Sequence, residues 1–372
     1  MSSVHNGRRI AIVGAGIVGL AHAWAAVRRG DHVTVYERDS EAVGASVRNF
    51  GLGLVLGQPL GDLHDLAQRS RSLWLQFLAA TDCWHKQQGS LIVARSQAEL
   101  DVLEAFQSAQ GSAYQTQMIG SAEVAGHHAT GLAGLYSGSE ITLVPRIAIP
   151  TLARWLAQQH GVVFHYDTQV NAIELPSIHT SRGLHQADQA VICSGHDFQT
   201  LFPQQYAALD MRRCALQMLR VANPGIKLGP ALMTGLSTLH YGAFTQCAAL
   251  VAPLAALRQE VEQREPFLLE HGIHLIVQQS GADGNLIIGD SHAYGATVSP
   301  FNRAEIDAQI AALAETLLQR RLQVLEHWQG IYASGPRPYE VFQPAEGVQA
   351  VTISSGIGMS IAFGLAERNL AA

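Results

Sequence analysis

The chain has 372 residues, of which 48% are hydrophobic and 15% charged, a composition that favours a globular body with a large core over a disordered segment. Its formal net charge of -6 gives no electrostatic attraction for nucleic acid or for an anionic membrane, which excludes both as partners. The four cysteines lie far apart without a CxxC pair, which argues against a disulfide framework or a zinc ribbon and favours a reducing, cytoplasmic compartment.

The first predicted unit is a strand, a glycine turn, a helix and a second strand, in RRIAIVGAGIVGLAHAWAAVRRGDHVTVYERD. Gly14, Gly16 and Gly19 form GxGxxG, which makes a tight turn, lets the backbone approach a pyrophosphate and lets helix and strand pack closely. Glu37 ends the second strand, where a carboxylate can accept hydrogen bonds from an adenosine ribose. The unit predicts binding of an ADP group, against the alternative of a chance glycine-rich βαβ unit. The glycines also argue against a membrane span over residues 10–27.

The segment GASVRNFG, residues 44–51, follows this unit. Its glycines, serine and asparagine are equally typical of a surface turn. Its position directly after a nucleotide-binding unit makes Ser46, Arg48 and Asn49 candidate ligand contacts.

Further along, the pattern predicts helices over 62–80 and 97–109, a strand over 89–94, a helix after TLVP, and strands over 162–174 and 187–197. The segment 211–221, a strand-like LSTLHYGAF and a hairpin around Gly-Ala-Asp-Gly come next, followed by a helical pattern over 302–326. GIYASGPRPYEVFQP reads as a loop. The last segment, VQAVTISSGIGMSIAFGLAERNLAA, reads as a strand, a second glycine turn and a helix.

The order of these motifs resembles the FAD-dependent amine and amino-acid oxidoreductases, the family of D-amino-acid oxidase, glycine oxidase and sarcosine oxidase. The resemblance spans nearly the whole chain and is carried by GAGIVG with its acidic partner, GAS, CSG, IIGDSH, GPRP and SSGIGMS. Within that family, GASVRNFG followed by GQP is similar to the branch associated with phosphonate breakdown, whose proposed substrates are 2-aminoethylphosphonate and its N-methyl derivative.

The resemblance implies an α/β fold in which a Rossmann-like FAD-binding domain is interleaved with an α+β substrate domain built on an antiparallel-rich sheet. The FAD-binding domain is expected at residues 1–80, 145–205 and 327–372. The substrate domain is expected at 81–144 and 206–326.

The resemblance also implies noncovalent FAD, because relatives with covalent flavin carry a histidine near the first turn or a cysteine near GPRP, whereas Arg48 stands here and no cysteine follows Cys247. Ser46, Arg48 and Asn49 would lie toward the pyrophosphate and flavin ring. The full set of implied contacts is Gly14, Ala15, Gly16, Ile17, Val18, Gly19, Glu37, Arg38, Ala45, Ser46, Arg48, Asn49, Phe50, Gly51, Val170 (adenine), Ser194 and Gly195 (diphosphate region), Arg337, Gly356, Ile357, and Gly358, Met359 and Ser360 (pyrimidine edge of the flavin).

Arg337 in GPRP matches the arginine with which relatives hold the substrate carboxylate, and its guanidinium suits a phosphonate equally. The alternative is an arginine in a surface salt bridge. Tyr241, His240 and His292 are expected to orient the substrate, although strand alternation puts His240 and Tyr241 on opposite faces. No metal is expected, because the pairs His127-His128 and HGIH (271–274) have no acidic or cysteine partner at ligand spacing.

The resulting hypothesis is that a small primary or secondary amine binds neutral above the flavin and gives up a hydride, after which the imine hydrolyses, with no obligatory general base. Molecular oxygen or another acceptor would take the electrons, and a homodimer is a candidate assembly. Three alternatives stay open: a glycine or D-amino-acid oxidase, a dehydrogenase that uses a quinone or carrier, and a noncatalytic FAD-binding redox sensor.

Overall fold

The computed structural model describes residues 7–279 and 281–371, which form twenty strands and eleven helices. The strands are β1 (Arg9–Val13), β2 (His32–Tyr36), β3 (Leu52–Gly53), β4 (His85–Lys86), β5 (Ser90–Ala94), β6 (Thr116–Gly120), β7 (Ala133–Ser137), β8 (Ile141–Leu143), β9 (Val163–His165), β10 (Val170–Glu174), β11 (Ser177–Thr180), β12 (Gly183–Gln186), β13 (Gln189–Ile192), β14 (Arg212–Val221), β15 (Ala231–Thr234), β16 (Ile276–Gln279), β17 (Leu286–Gly289), β18 (Ala293–Gly295), β19 (Val324–Ala345) and β20 (Val348–Ser355). The helices are α1 (Ile17–Arg28), α2 (Asp62–Ala79), α3 (Gln97–Tyr114), α4 (Ser121–Gly126), α5 (Pro145–His160), α6 (Pro203–Ala207), α7 (Gly242–Thr245), α8 (Val251–Arg264), α9 (Pro266–Glu270), α10 (Ala304–Leu318) and α11 (Gly358–Ala371).

One long mixed sheet organises the fold, and its two ends differ in strand direction. At one end β9, β2, β1, β13 and β20 run parallel, the order of a Rossmann-like unit. Strand β19 is antiparallel to both β20 and β14 and joins this end to β14, β17, β16 and β15, which are antiparallel to one another. The predicted α/β fold with an antiparallel-rich second part is confirmed. No helix within the described residues is both long and apolar enough to span a bilayer.

An aromatic core fixes the helices that cover the parallel end. The ring of Trp24 lies 5.0 Å from that of Trp155 and 5.3 Å from that of Phe363, both edge to face, and Trp74 lies 4.9 Å from Phe363. The indole Nε1 of Trp74 donates a hydrogen bond of 2.8 Å to the carbonyl of Met359. Because these contacts join α1, α2, α5 and α11, the amino-terminal turns of α1 and α11 are held in place together.

A second aromatic contact joins α3 to α7. Phe106 on α3 stacks on Phe244 at 4.3 Å between ring centroids, and both side chains are fully buried. The hydroxyl of Tyr114, at the end of α3, donates a hydrogen bond of 2.6 Å to the carbonyl of Gln58. Helix α3 therefore packs against α7 and is also joined to the segment around Gln58.

Two boundaries near the carboxyl terminus differ from the sequence prediction. The helix predicted over 302–326 ends at Leu318, because Gln319 adopts a left-handed φ of 52°. GIYASGPRPYEVFQP was expected to be a loop but belongs to β19, which has partners on both sides. Its prolines are tolerated because pairing with β20 is interrupted between Ser334 and Tyr339, where no ladder hydrogen bond is needed.

Two other segments were also wrong in detail. The single strand predicted over 162–174 is split into β9 and β10, which lie in different sheets, since Asp167 takes a φ of 50° between them. LSTLHYGAF was expected to be extended but forms a 3-10 turn over Gly235–Leu239 followed by α7. This second difference changes the geometry of two predicted site residues.

Candidate functional site

A cavity of about 770 Å³ runs from the glycine turn after β1 to the edge of the antiparallel part of the sheet. All but three of the residues predicted as site residues line it; Ala15, Gly19 and Gly51 do not. We call the end formed by residues 13–18, 36–50 and 356–360 the cofactor half. The substrate half is the end formed by His240, Tyr241, His274, Asp290, His292, Tyr294 and Tyr332.

The first glycine turn exposes backbone to the cavity. Gly14 has a φ of +101°, and a Cβ placed there would lie 2.5 Å from the carbonyl oxygen of Cys193. A Cβ at Gly16 would lie 2.9 Å from Oγ of Ser46. Any side chain at Gly14 would therefore meet backbone, and Gly16 has little more room, so the amino terminus of α1 stays open to a ligand.

Glu37 stands beside this turn at the end of β2. Its Oε2 accepts a hydrogen bond of 2.9 Å from the amide of Ala15, and its Oε1 accepts one of 3.2 Å from the amide of Asp39. The carboxylate is thus oriented by two backbone groups at the edge of the cavity. Arg38, the next residue, is paired with Asp197 at 3.2 Å.

The segment GASVRNFG forms a short 3-10 turn whose polar groups are largely engaged within the protein. Oγ of Ser46 accepts a hydrogen bond of 2.9 Å from the amide of Ile17, so it satisfies the first turn of α1 from outside the helix. The side-chain Nδ2 of Asn49 donates hydrogen bonds to the carbonyls of Ala45 and Ser46, at 2.9 and 3.0 Å. Asn49 therefore shapes the turn.

The same segment touches the antiparallel part of the sheet. The carbonyl of Arg48 accepts a hydrogen bond of 3.2 Å from Nε1 of Trp328 on β19, and a Cβ at Gly330 would lie 3.1 Å from that carbonyl. A Cβ at Gly289 would lie 3.2 Å from Cζ of Phe50. GASVRNFG therefore bridges the two halves of the cavity.

The second glycine turn lies where β20 passes into α11. Gly356 has a φ of +73°, and a Cβ there would lie 3.3 Å from Cζ of Tyr332 on β19. Oγ of Ser360, in the first turn of α11, accepts a hydrogen bond of 3.0 Å from the amide of Leu54. This turn adds a second helix amino terminus to the cavity wall.

Arg337 lies in the cavity wall but is paired with its own strand. Its Nε donates a hydrogen bond of 2.8 Å to Oε1 of Glu340, and its Nη2 pairs with Oε2. The Arg337 side chain is 67% exposed, whereas that of Glu340 is 2% exposed. The ion pair uses two of the three guanidinium nitrogens and fixes the plane of the group.

His240 and Tyr241 both line the substrate half, so the expectation that they lie on opposite faces was wrong. They occupy the junction between the 3-10 turn and α7, where successive side chains do not alternate as they do in a strand. The ring of His240 lies 4.5 Å from that of His274, and the ring of Tyr241 lies 5.6 Å from it.

Sequence reasoning missed His274 as a site residue and passed over Asp290. Nε2 of His274 lies 3.6 Å from Oδ1 of Asp290, and His274, Asp290 and His292 each offer an atom of metal-ligand type within 4.8 Å of the others. The fold thus supplies the acidic neighbour that HGIH lacks at sequence spacing. The hairpin could have revealed it, because the pairing of Ile276 with Gly289 brings both flanking residues to one end.

Burial shifts several titrations in the substrate half. Burial raises the pKa of Asp290 to about 6, and His292 acts in the opposite direction. Burial holds the pKa of His274 well below its usual range, an effect that His240 and His292 reinforce. Burial also raises the pKa of Tyr294 to about 12. The region therefore disfavours charge except where a partner of opposite sign enters.

The match to a protein-family model settles the family. The model described as DAO: FAD dependent oxidoreductase matches residues 9–369. The chain belongs to this family. It is therefore an FAD-dependent oxidoreductase, as the motif order implied. A search of curated protein sequences gave no match.

Solved structures of this FAD dependent oxidoreductase fold cover nearly the whole chain. Glycine oxidase from Geobacillus kaustophilus has a TM-score of 0.76 at 17% identity, covering 98% of this chain and 94% of its own. L-proline dehydrogenase from P. horikoshii has a TM-score of 0.76 at 17% identity, covering 97% and 91%. L-alpha-glycerophosphate oxidase from Mycoplasma pneumoniae with FAD bound has a TM-score of 0.71 at 18% identity, covering 98% and 94%. At these identities the likeness concerns the fold.

The cofactor half fits FAD on its own chemistry. Gly14 and Gly16 leave backbone facing the cavity, two helix amino termini point to it, and Glu37 is oriented at its edge. Backbone amides and helix termini suit a diphosphate, and a carboxylate after the second strand suits ribose hydroxyls.

Proposed function

We propose that the chain oxidises a small primary or secondary amine with FAD, and that 2-aminoethylphosphonate or its N-methyl derivative is the favoured substrate. The observation that carries this proposal is the single cavity in which the FAD motifs and the cluster of His240, Tyr241 and His292 face the same space. The phosphonate assignment is supported by GASVRNFG and the following GQP.

In this proposal FAD is bound without a covalent link and its adenosine lies near Glu37 and Val170. The amides around Gly14 and Gly16, together with Ser194 and Gly195, hold the diphosphate region. Ser46 and Arg48 lie farther along toward the flavin, and Gly358, Met359 and Ser360 contact its pyrimidine edge. The close packing of Arg48 and Phe50 against β19 and β17 supports this assignment, because it places GASVRNFG, which would hold the flavin end of FAD, between the two halves.

The substrate anion is assigned to Arg337. Glu340 engages Nε and Nη2, which leaves Nη1 without a hydrogen bond among the described residues. A guanidinium held in one plane can present that nitrogen to a phosphonate or carboxylate oxygen. The same pairing agrees with the alternative of a structural salt bridge, and the kinetics of Arg337 variants distinguish the two roles.

When bound, FAD supplies the acceptor for the hydride that leaves the carbon next to the substrate nitrogen. The protein orients that carbon, holds the nitrogen unprotonated and limits access of water. The aromatic side chains Tyr241, Tyr294 and Tyr332 form much of the wall around the reacting group. The imine product then hydrolyses to an aldehyde and an amine or ammonia.

The test is an anaerobic titration of the FAD-loaded protein, followed by its visible spectrum. N-methyl-2-aminoethylphosphonate, 2-aminoethylphosphonate, glycine and D-alanine are added separately. We expect the two aminophosphonates to bleach the flavin band. Bleaching by glycine or D-alanine alone would assign the chain to the amino-acid oxidases instead, and a folded, FAD-supplemented protein without a flavin band would contradict the proposal at its root.

The same sample also identifies the class of electron acceptor and tests the alternative of a noncatalytic redox sensor. Readmission of oxygen to the reduced protein distinguishes an oxidase, which yields hydrogen peroxide, from a dehydrogenase that needs a quinone or carrier. A flavin that no amine reduces would favour a noncatalytic redox sensor.

The domain division at 1–80, 145–205 and 327–372 against 81–144 and 206–326 is part of the proposal. It is supported by the change from parallel to antiparallel pairing across β19. A cytoplasmic location is supported by four free, buried cysteines.

A homodimer is also proposed, and the molar mass of the purified protein from light scattering tests it.

A further inference from the structure

Asp290 is a buried carboxylate for which the fold provides no adequate partner. It follows β17, is 5% exposed and lines the substrate half of the cavity. Its Oδ1 is buried and has no hydrogen-bond partner among the described residues. A buried carboxylate without a partner is costly, so such a group points to a ligand that completes it.

Within the residues that the structure describes, Asp290 has one ion-pair neighbour, Nε2 of His274 at 3.6 Å. Because burial keeps the pKa of His274 well below its usual range, this histidine is neutral near pH 7 and does not supply the missing positive charge. No arginine or lysine lies within 4.0 Å of Asp290 in the described ranges. Among the described residues within 4.0 Å, Asp290 therefore has no charged partner, and an ammonium ligand would supply one.

The two neighbouring histidines, His274 and His292, each form a hydrogen bond through Nδ1. Nδ1 of His292 donates a hydrogen bond of 2.8 Å to the carbonyl of Gly272, and Nδ1 of His274 bonds to Oγ of Ser237 at 3.1 Å. A carbonyl can only accept, so His292 in its neutral form carries its proton on Nδ1 and presents Nε2 as an acceptor. A carboxylate oxygen and an imidazole nitrogen thus face the same part of the cavity.

We infer that Asp290, with Nε2 of His292 beside it, binds the ammonium group of the amine substrate and that Asp290 takes its proton. The N–H bond of the ammonium breaks, an O–H bond forms on the Asp290 carboxylate, and the nitrogen keeps the electron pair. The products are a neutral amine and a neutral carboxylic acid, which avoids holding two opposite charges in a dry site. This inference rests on the proposed amine oxidation and concerns the proton on nitrogen; it assigns no base to the carbon.

The surroundings of Asp290 agree with this role. Its pKa, raised to about 6 by burial, leaves it ionised at neutral pH and able to take up a proton once an ammonium is bound. In the part of the chain that the structure describes, no arginine or lysine is among the titratable groups that face it. Those groups are Cys214 on β14, His240 and Tyr241 before α7, His274 before β16, His292 after β17 and Tyr332 on β19.

The test uses amines that bind but cannot be oxidised because they carry no hydrogen on the carbon next to nitrogen. Two such probes are (2-amino-2-methylpropyl)phosphonate and 2-aminoisobutyrate, and their amine-free counterparts are isobutylphosphonate and isobutyrate. Calorimetry on the full FAD-loaded chain measures all four dissociation constants. For the amine probe that the wild type binds, we expect Asp290→Asn to raise the dissociation constant by about 10- to 100-fold. The dissociation constant of its amine-free counterpart should change by no more than about 2-fold.

Asp283→Asn is the matched control, because it removes the same charge from the tip of the same hairpin. Asp283 pairs with Arg220 and does not line the cavity. This variant should bind every probe as the wild type does. The pH dependence gives a second readout: amine affinity in the wild type should fall as the pH is lowered through about 6, and this fall should be absent in Asp290→Asn.

Several outcomes would overturn the inference. They are equal amine affinity in Asp290→Asn and the wild type, failure of the wild type to bind either amine probe, or a stoichiometric Zn²⁺ or other divalent metal in the purified protein that Asp290→Asn lacks. The last result would identify a metal site. Binding of the probes is measured separately from turnover. If the wild type reduces its flavin with an amine and Asp290→Asn binds the amine probe normally, the role of Asp290 is refuted and the proposed amine oxidation is not.

Discussion

The two halves of the cavity are built in different ways. The cofactor half consists of backbone turns, helix amino termini and one carboxylate, and its elements follow short motifs such as GxGxxG. The substrate half consists of side chains from four separated parts of the chain, represented by His240, His274, Asp290 and Tyr332. A site made from backbone depends on local sequence, whereas a site made from side chains depends on how distant strands pair.

Buried titratable groups show the same contrast. His22 in α1, near the cofactor half, is fully buried, and its Nδ1 bonds to the carbonyl of Val18 at 2.7 Å. The side-chain amide nitrogen of Asn369 lies 3.3 Å from Nε2 of His22. Asp290 in the substrate half has a buried oxygen without a hydrogen-bond partner in the described part of the chain. The fold thus provides a partner for each ring nitrogen of His22, whereas Oδ1 of Asp290 has none among the described residues.

The largest expected effect is a loss of FAD affinity from a substitution that changes the cofactor half alone. Gly14→Ala forces a side chain into a left-handed backbone and to within 2.5 Å of the Cys193 carbonyl, so the turn must move. We expect FAD affinity to fall by at least about 100-fold, measured from the ratio of flavin to protein absorbance after dialysis.

Gly30→Ala is the control for backbone strain. Gly30 has a φ of +91°, but an added Cβ would meet no atom of the described residues within 4 Å. It should cost about 1 kcal/mol of folding stability and leave FAD affinity unchanged. Equal loss of FAD in both variants would show that general destabilisation, and not the turn itself, controls binding.

The second prediction concerns His22 and pH. Burial lowers its pKa from 6.5 to about 4 in the folded protein, so the unfolded chain takes up the proton first as the pH falls. Its contribution to stability is therefore fully present above about pH 6.5 and declines by about 3 kcal/mol as the pH falls to about 4. His22→Gln should show a shallower decline than the wild type in urea unfolding across that range. Parallel pH profiles for the two proteins would contradict the assignment.

The third prediction separates the two roles of Arg337 and carries the smallest effect. If Nη1 holds the substrate anion, Arg337→Ala should raise KM about 10-fold and leave kcat nearly unchanged. The variant also leaves Glu340, which is 2% exposed, without its partner. In the double variant Arg337→Gln/Glu340→Gln, stability should return and KM should stay high. Recovery of KM in the double variant would make the arginine structural.

The sequence was informative where local chemistry decides the structure. Gly14, Gly16 and Glu37 were located from spacing alone, because a turn, a helix start and a strand end are local features. The hairpin of β16 and β17 was also predicted correctly from its turn. Family resemblance, and not spacing, implied the later cofactor contacts such as Gly358 and Ser360, which line the cavity.

Tertiary pairing explains what was wrong. The glycine and prolines of GPRP favour a loop, but the residues before GPRP pair with β14 and those after it pair with β20, which makes the surrounding segment part of β19. His240 and Tyr241 were assigned strand alternation because the 3-10 turn before them has no distinctive pattern. Asp290 was overlooked because partners for His274 were sought at sequence spacing, whereas the hairpin brings the two residues together from opposite strands.

The most direct measurement of the central claim is a rapid-mixing experiment without oxygen. FAD-loaded protein is mixed with 2-aminoethylphosphonate that carries either hydrogen or deuterium on the carbon next to nitrogen, and loss of the flavin band is recorded in a single turnover. The account predicts that the flavin is reduced and that deuterium slows the reduction. A flavin that stays oxidised with both forms would contradict the assignment of this cavity to aminophosphonate oxidation.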